Sequence, residues 1–145
     1  MTPDVNVLVA AFRADHAHHR VARPWLNTAL AATESGGVLQ LLPMVVASFL
    51  RLVTHPKVFA DPAPAELAVA FVDALLAVPG CEWLSLGEEW PQLAALCKAR
   101  ALAANDVPDA WIAAAVRRHG TVLVTFDRDF LNLLEPHQLT LLTAS

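Results

Sequence analysis

Three aspartates, Asp4, Asp109 and Asp127, lie far apart in the chain, and each borders an apolar run typical of a strand or its adjoining helix. Carboxylates at the carboxyl ends of parallel strands, or in the first turn of the helices that follow, converge on one crevice of an α/β sheet. Converging carboxylates repel each other unless a cation neutralises them, and their hard oxygens suit Mg²⁺ or Mn²⁺. The three residues therefore predict an acidic metal site that takes Mg²⁺, with Mn²⁺ as a substitute.

Asp109 and Asp127 also have ordinary structural explanations, whereas Asp4 is harder to explain in that way. Asp109 follows Pro108 at a helix start, where capping and the helix dipole favour an acid. Asp127 and Asp129 follow a strand, and aspartates commonly end strands in turns. Asp4 interrupts an apolar segment, where an unpaired charge is costly. The metal prediction therefore depends on the joint placement of the aspartates and not on any one of them.

The apolar periodicity predicts strands that alternate with helices along the whole chain. A short strand ends near Asp4 or Val5, and a helix runs from there to about Arg13. Later helices are expected over residues 18–32, 43–54, 64–78, 88–103 and 108–120, and later strands over residues 38–42, 82–86, 121–125 and 138–143. Such alternation predicts an α/β fold with a mainly parallel central sheet and helices on both faces.

Composition restricts the class of protein. The 145 residues are 56% apolar and 17% charged, which excludes disorder and predicts one domain over residues 1–145. No apolar run reaches about 18 residues and the N-terminus has no basic region, so neither a membrane span nor a signal peptide is expected. Cys81 and Cys97 match no metal or redox spacing and indicate a reducing cytoplasm. The net charge of −4 argues against a broad basic surface for nucleic acid.

Three segments carry a resemblance to a known family: PDVNVLVAAF, LLPMVVASFLRLVTHPKVF and DVPDAWIAAAVRRHGTVLVTFDRDF. Nearly end to end, the chain resembles the PIN-domain ribonucleases, specifically the VapC-type toxins of type II toxin–antitoxin pairs. The resemblance implies a PIN-like three-layer α/β sandwich and a metal-dependent endoribonuclease. It also implies three partners, which are an RNA substrate, a VapB-type antitoxin and a second copy of the chain, with no membrane.

The resemblance also assigns roles to individual residues. Asp4, Asp109 and Asp127 match the metal-ligating acids of the family, and Asp129 matches an auxiliary acid. Two polar residues, Asn6 and Thr125, match positions that support and orient them. Bound Mg²⁺ polarises a scissile phosphate and lowers the pKa of a water molecule, which is the chemistry these residue types serve.

One position departs from the family pattern. Many PIN domains carry a glutamate on the helix after the second strand, and Ser48 occupies that position here. Two interpretations remain open: the other acids hold one metal through extra water, or the chain is a weakened PIN-like protein that acts by binding a partner or RNA. A different metal-dependent phosphohydrolase on a similar frame is disfavoured by the motif order. Arg51, one helical turn beyond Ser48, either faces the same crevice and contacts phosphate or is a solvated helix charge.

A histidine cluster follows the first helix. Asp15, His16, His18 and His19 allow a second metal site, but they have no distant partner in the sequence. A solvated entry to the next helix is the favoured interpretation. For His55 and His119, which precede a proline and a glycine, helix-end roles suffice.

Overall fold

The computed structural model describes residues 1–144, and it confirms the alternation of strands and helices. The strands are β1 (Thr2–Pro3), β2 (Leu39–Leu41), β3 (Cys81–Trp83), β4 (Leu123–Thr125) and β5 (Leu139–Leu141). The α-helices are α1 (Val5–Phe12), α2 (His19–Ala32), α3 (Pro43–Val53), α4 (Ala65–Leu76), α5 (Trp90–Arg100) and α6 (Asp106–His119). Short 3₁₀ turns cover Thr33–Ser35, Arg128–Asn132 and Pro136–Gln138.

All strand pairs within the described residues are parallel. β4 lies between β1 and β5, and β2 pairs with β3. The two groups meet where the Gln40 N–H donates to the Met1 carbonyl at 2.9 Å, which places β2 beside β1. The strand order is therefore β3-β2-β1-β4-β5, and the carboxyl ends of β1 and β4 are neighbours.

The helices cover the sheet in the manner of a three-layer sandwich. α1 packs on α2 and α3, and α5 packs on α6. The core they enclose includes Phe49 from α3 and Phe130 from the 3₁₀ turn after β4. Small residues allow α6 to pack closely, since its run Ala113–Ala115 is fully buried. This close packing holds the middle of α6 against the core.

Most helix boundaries differ from the sequence expectation by one to three residues, and two of these differences have a clear local cause. α6 begins at Asp106 instead of Pro108, because a proline is tolerated in the first turn, where its missing N–H has no intrahelical partner. α5 begins at Trp90 instead of residue 88, because the Glu89 side chain folds back and accepts the Gly87 N–H. α6 ends as expected at Gly120, whose φ of +63° is left-handed.

The strand after α4 is also displaced. It covers Cys81–Trp83 and not residues 82–86, because its register against Leu39–Leu41 is three residues long. Over residues 1–144, no helix has both the length and the apolar character needed to cross a membrane.

Candidate functional site at the strand ends

Asp4 lies at the junction between β1 and α1, where it is the N-cap of the helix. Its Oδ1 accepts the Val5 N–H at 2.7 Å, and its Oδ2 accepts the Thr125 hydroxyl at 2.6 Å. The residue is 6% exposed. Burial raises the pKa of the Asp4 carboxyl above its usual range, and the two hydrogen bonds oppose that rise. Asp4 is therefore a nearly buried carboxylate held in one orientation.

Thr125 is the centre of the hydrogen bonds that hold this junction. Its hydroxyl is fully buried, donates to Asp4, and accepts the Asn6 side-chain N–H at 3.2 Å and the Asp127 backbone N–H at 3.0 Å. The Asn6 carbonyl oxygen in turn accepts the Phe126 N–H at 3.3 Å. One threonine therefore joins β4, the start of α1 and the segment that carries Asp127.

Asp127 caps the 3₁₀ turn after β4, since its Oδ1 accepts the Asp129 N–H at 2.9 Å. Its charge also contributes to the raised pKa of Asp4, so the two carboxylates lie close enough to repel. Asp129 is exposed and borders a smaller cleft together with Asp106 and Asp109. The structure thus places Asp127 beside Asp4 and Asp129 further out.

Asp109 lies in the first turn of α6, near the other acids. Its pKa is raised to about 6, first by burial and then by the negative charges of Asp4, Asp127, Asp129 and Asp106. Five acids from three separate segments of the chain therefore share one electrostatic environment, and Asp109 is half-buried in it. Such repulsion is reduced by a cation.

A cavity of about 700 Å³ opens beside these acids. Asp4, Asn6 and Asp109 line it, whereas Asp127 does not. Ser48 and Arg51, which both belong to α3, also line this cavity. They therefore face the same space as the acids. The rest of the wall is mostly apolar: Val5, Val9, Met44, Leu52, Val58, Phe59, Leu93, Val107, Pro108, Trp111 and Ile112.

The donor set fits a hard divalent cation but is sparse. Within residues 1–144, no three His, Cys, Asp or Glu side chains are grouped so that they could hold a metal ion by themselves. Mg²⁺ keeps several of its waters and is commonly bound through one or two carboxylates. The carboxylates of Asp4 and Asp109 supply that number of ligands, and a cation between them would reduce their mutual repulsion.

A family model described as "PIN domain" matches residues 1–134 of the chain. The chain belongs to the PIN-domain family. Ribonuclease VapC25 from Mycobacterium tuberculosis (strain ATCC 25618 / H37Rv) is 41% identical over 128 residues, which are 88% of each chain. Ribonuclease VapC43 from the same strain is 37% identical over 128 residues, which are 88% of this chain and 85% of the relative.

A solved structure shows the same fold. The crystal structure of VapBC2 from Rickettsia felis bound to a DNA fragment from their promoter contains a chain with a TM-score of 0.63. The match covers 96% of both chains at 14% identity, so it supports the three-layer architecture alone. The family model and the curated relatives confirm the family and the VapC resemblance, and the solved structure confirms the predicted fold class.

Two features of this PIN domain were not assigned to the site by sequence reasoning. His16 lines the cavity, although the favoured interpretation placed it in a solvated turn. Glu89 is 2% exposed and accepts the Trp111 Nε1–H at 2.9 Å and the Gly87 N–H at 2.6 Å. No sequence pattern distinguishes the buried Glu89 from the neighbouring exposed Glu88. The direction of the His16 side chain depends on the conformation of a turn, which leaves no periodic pattern in the sequence. The sequence held no signal for Glu89, and for His16 it offered the histidine cluster but not the direction in which the ring lies.

The remaining histidines have structural contacts. The His18 ring stacks on Phe126 with centroids 4.6 Å apart, and His19 Nδ1 lies 2.8 Å from the Ala10 carbonyl oxygen. His119 Nε2 lies 2.8 Å from the Ser85 carbonyl oxygen at the end of α6. The contacts of His18 and His19 hold the turn between α1 and α2 against its neighbours, so this turn is more than a solvated helix entry.

Proposed function

We propose that this protein is a Mg²⁺-dependent endoribonuclease and the toxin of a toxin–antitoxin pair, with Mn²⁺ able to replace Mg²⁺. The observation that carries the proposal is the meeting of Asp4 and Asp109 on one cavity, with Asp127 near enough to raise the pKa of Asp4. Relatives named as ribonucleases that match 88% of the chain favour RNA as the substrate.

Asp4, Asp109 and Asp127 are the residues that would hold the ion, directly or through water. Bound there, Mg²⁺ supplies positive charge for the scissile phosphate and lowers the pKa of a water molecule. Thr125 keeps the Asp4 carboxylate oriented by its 2.6 Å hydrogen bond, and Asn6 supports Thr125. Asp129 acts as an auxiliary acid at the rim.

Arg51 supplies the positive side chain of the cavity. It is an exposed residue of α3 and lines the cavity with Asp4 and Asp109. A guanidinium donates to phosphate oxygens in a fixed fork, so it suits a phosphodiester held next to the acids. We assign Arg51 to the binding of an RNA phosphate.

The test is RNA cleavage with Mg²⁺ or Mn²⁺ by the wild type and by two variants, Asp4→Asn and Asp109→Asn. Wild-type cleavage that stops with EDTA and falls at least about a hundredfold in both variants is expected, as for loss of a ligand to a catalytic metal. Asp61→Asn, an exposed aspartate outside the cavity, is the matched control. Wild type that cuts RNA equally well in EDTA would refute metal dependence.

Ser48 motivates a second candidate function. It faces the cavity from α3, where many PIN domains place a glutamate, so a carboxylate is missing from that wall. The second candidate is a weakened PIN-like protein that acts by binding a partner or RNA. A Ser48→Glu variant separates the two: a large gain of cleavage over a nearly silent wild type favours the second candidate, and little change favours the first.

The proposed partner is a VapB-type antitoxin, and the proposed active form is a homodimer in the cytoplasm. The solved structure with the same fold is a VapBC assembly. The cavity wall is mostly apolar, and an antitoxin segment with a basic residue would complement both the wall and the acids. Copurification with the product of the adjacent reading frame, followed by loss of cleavage in the complex, tests this partner.

A further inference from the structure

The turn between α1 and α2 holds His16 in a fixed position. The Arg13 guanidinium stabilises the turn by donating two hydrogen bonds to the Asp15 carboxylate, at 2.9 and 2.6 Å. On the other side, the neighbouring His18 ring stacks on Phe126, which directly follows Thr125. The turn is therefore stabilised by contacts within it and by contact with the residue after β4. His16 lines the acidic cavity from this turn.

The hydrogen bonding of the turn selects one tautomer of His16. The His18 backbone N–H donates to His16 Nδ1 at 3.0 Å, so Nδ1 carries a lone pair and the ring proton is on Nε2. Burial and the charges of His18 and His19 lower the pKa of His16 below its usual range against an opposing effect of Asp15, so the ring is mostly neutral at pH 7. Among residues 1–144, the hydrogen bond of the His16 ring is the one at Nδ1, which leaves Nε2 without an acceptor. Its N–H is thus available to a molecule in the cavity.

The cavity combines three kinds of polar group. Asp4 and Asp109 repel anions unless a cation is bound, Arg51 carries a positive charge, and His16 offers a neutral donor. The phosphate and ribose oxygens of an RNA backbone accept hydrogen bonds. Hydrogen-bond donors on either side of the scissile bond therefore hold the backbone in the cavity. A neutral donor contacts such an oxygen without competing with the cation for the carboxylates.

We infer that His16 is a substrate-binding residue, whose Nε2–H donates to an oxygen of the RNA backbone beside the acidic site. The inference rests on the proposed ribonuclease function and adds a residue to it. The acceptor is a phosphate oxygen or a ribose hydroxyl. The contact aids substrate binding, while the acids and the ion carry the chemistry.

The chain offers a matched set of variants for the test. His16→Asn keeps an acceptor for the His18 N–H through its side-chain oxygen, because asparagine forms the same local turn, but it has no group at Nε2. His16→Gln keeps an N–H donor near the Nε2 position. The control is His55→Asn: His55 Nδ1 accepts the Lys57 N–H at 3.0 Å in the same pattern, and His55 lies outside the cavity.

The expected result is a rise of about three- to tenfold in KM for His16→Asn with little change in kcat, since one neutral hydrogen bond to bound substrate is lost. His16→Gln is expected to recover most of the wild-type KM, and His55→Asn to equal the wild type. Thermal melting confirms that all variants fold. Equal KM values for His16→Asn and His55→Asn would overturn the inference while leaving the ribonuclease function intact.

A second readout does not depend on cleavage. In the wild type, ¹⁵N spectra of the imidazoles should show the Nε2–H tautomer for His16, and adding a single-stranded RNA oligonucleotide with Mg²⁺, at a temperature where cleavage is slow, should shift that nitrogen. RNA that binds without shifting it contradicts the inference. RNA that neither binds to nor is cut by the wild type refutes the ribonuclease function, and the inference falls with it.

The two possible acceptors are separated by binding of RNA and single-stranded DNA of the same sequence. A phosphate acceptor predicts the same loss of affinity in His16→Asn for both polymers. A ribose hydroxyl acceptor predicts a loss for RNA alone, because DNA has no 2′-hydroxyl. No loss for either polymer contradicts the inference.

Discussion

Asp4 shows how one residue meets two opposing demands. A nearly buried carboxylate is costly because burial removes water from its charge, and this raises its pKa. Two donors, the Val5 N–H and the Thr125 hydroxyl, offset that cost at 2.7 and 2.6 Å. The carboxylate is therefore fixed and only partly stabilised, which leaves it able to bind a cation.

We expect Thr125→Val to lower the free energy of unfolding by about 1–3 kcal/mol. Valine has nearly the same shape, but it leaves Asp4 Oδ2 and the Asp127 N–H without the partners that Thr125 provides. Urea denaturation at pH 7 measures the loss. Thr125→Ser, which keeps the hydroxyl, is the control and should recover part of the stability. Equal stability of the valine variant and the wild type would contradict this account of Asp4.

Asp109 predicts a pH-dependent stability in the metal-free protein. Its pKa is raised to about 6 from 3.8, so the folded state binds a proton more tightly than the unfolded state. That contribution is fully present below about pH 3.8 and is lost as the pH rises through about 6. Without metal, Asp109→Asn should therefore be more stable than the wild type at pH 7.5. Since Asp109 is half-buried, a gain of about 1 kcal/mol is expected after discounting for solvent screening.

Denaturation in EDTA at pH 7.5 and pH 4.5 checks this, because the gain should shrink at the lower pH. Millimolar Mn²⁺ should reverse the order at pH 7.5, since an ion that binds the native wild type stabilises it. A variant that is less stable than the wild type in EDTA at pH 7.5 would show that Asp109 has a structural role that outweighs the repulsion.

At the scale of elements, alternating apolar patterns predicted which segments are strands and helices, and the strand ends followed from that order. Asp4 and Asp127 could be placed together because parallel neighbours end at one edge of the sheet, as β1 and β4 do. The cavity contacts of His16 and the hydrogen bonds of Glu89 depend on turn conformation. No periodicity encodes a turn, so those contacts became visible only in three dimensions.

Glu89 connects the loop before α5 to α6 through hydrogen bonds. Lying immediately before α5, it accepts the Trp111 Nε1–H from α6 and the Gly87 N–H from the preceding loop. Trp111 also lines the acidic cavity, so Glu89 positions part of the cavity wall. We expect Glu89→Ala to reduce the free energy of unfolding by about 1.5–3 kcal/mol, as for loss of hydrogen bonds to a buried charge.

Glu88→Ala is the matched control, because Glu88 is exposed and its ion pair with Arg118 contributes under about 1 kcal/mol. The pH dependence has a definite sign. Burial raises the pKa of Glu89, but the hydrogen bonds from Trp111 and Gly87 outweigh it and hold that pKa below 4.5. The stabilisation is therefore present above pH 4.5 and lost as the pH falls. A difference between wild type and Glu89→Ala that grows on acidification would contradict this assignment.

The whole molecule has a net charge of −4, yet its proposed substrate is a polyanion. A broad basic surface is therefore not the source of affinity, and a few groups in the cavity must supply it. Arg51 and His16 line the same space and differ in charge, since the guanidinium is positive and the imidazole is neutral at pH 7. Salt dependence separates their contributions, because only charged contacts release counterions from a phosphate.

Arg51→Gln is expected to weaken RNA binding and to reduce the slope of log K against log salt by about 0.7, which is the value for one phosphate contact on a single strand. His16→Asn should weaken binding without changing the slope, because a neutral donor displaces no counterion. Lys98→Gln, on α5 outside the cavity, should change neither quantity. Fluorescence anisotropy with a labelled RNA over a range of KCl concentrations measures all three. If Arg51→Gln leaves the slope unchanged, Arg51 does not contact a phosphate, and the affinity comes from uncharged contacts, namely His16 and the apolar wall.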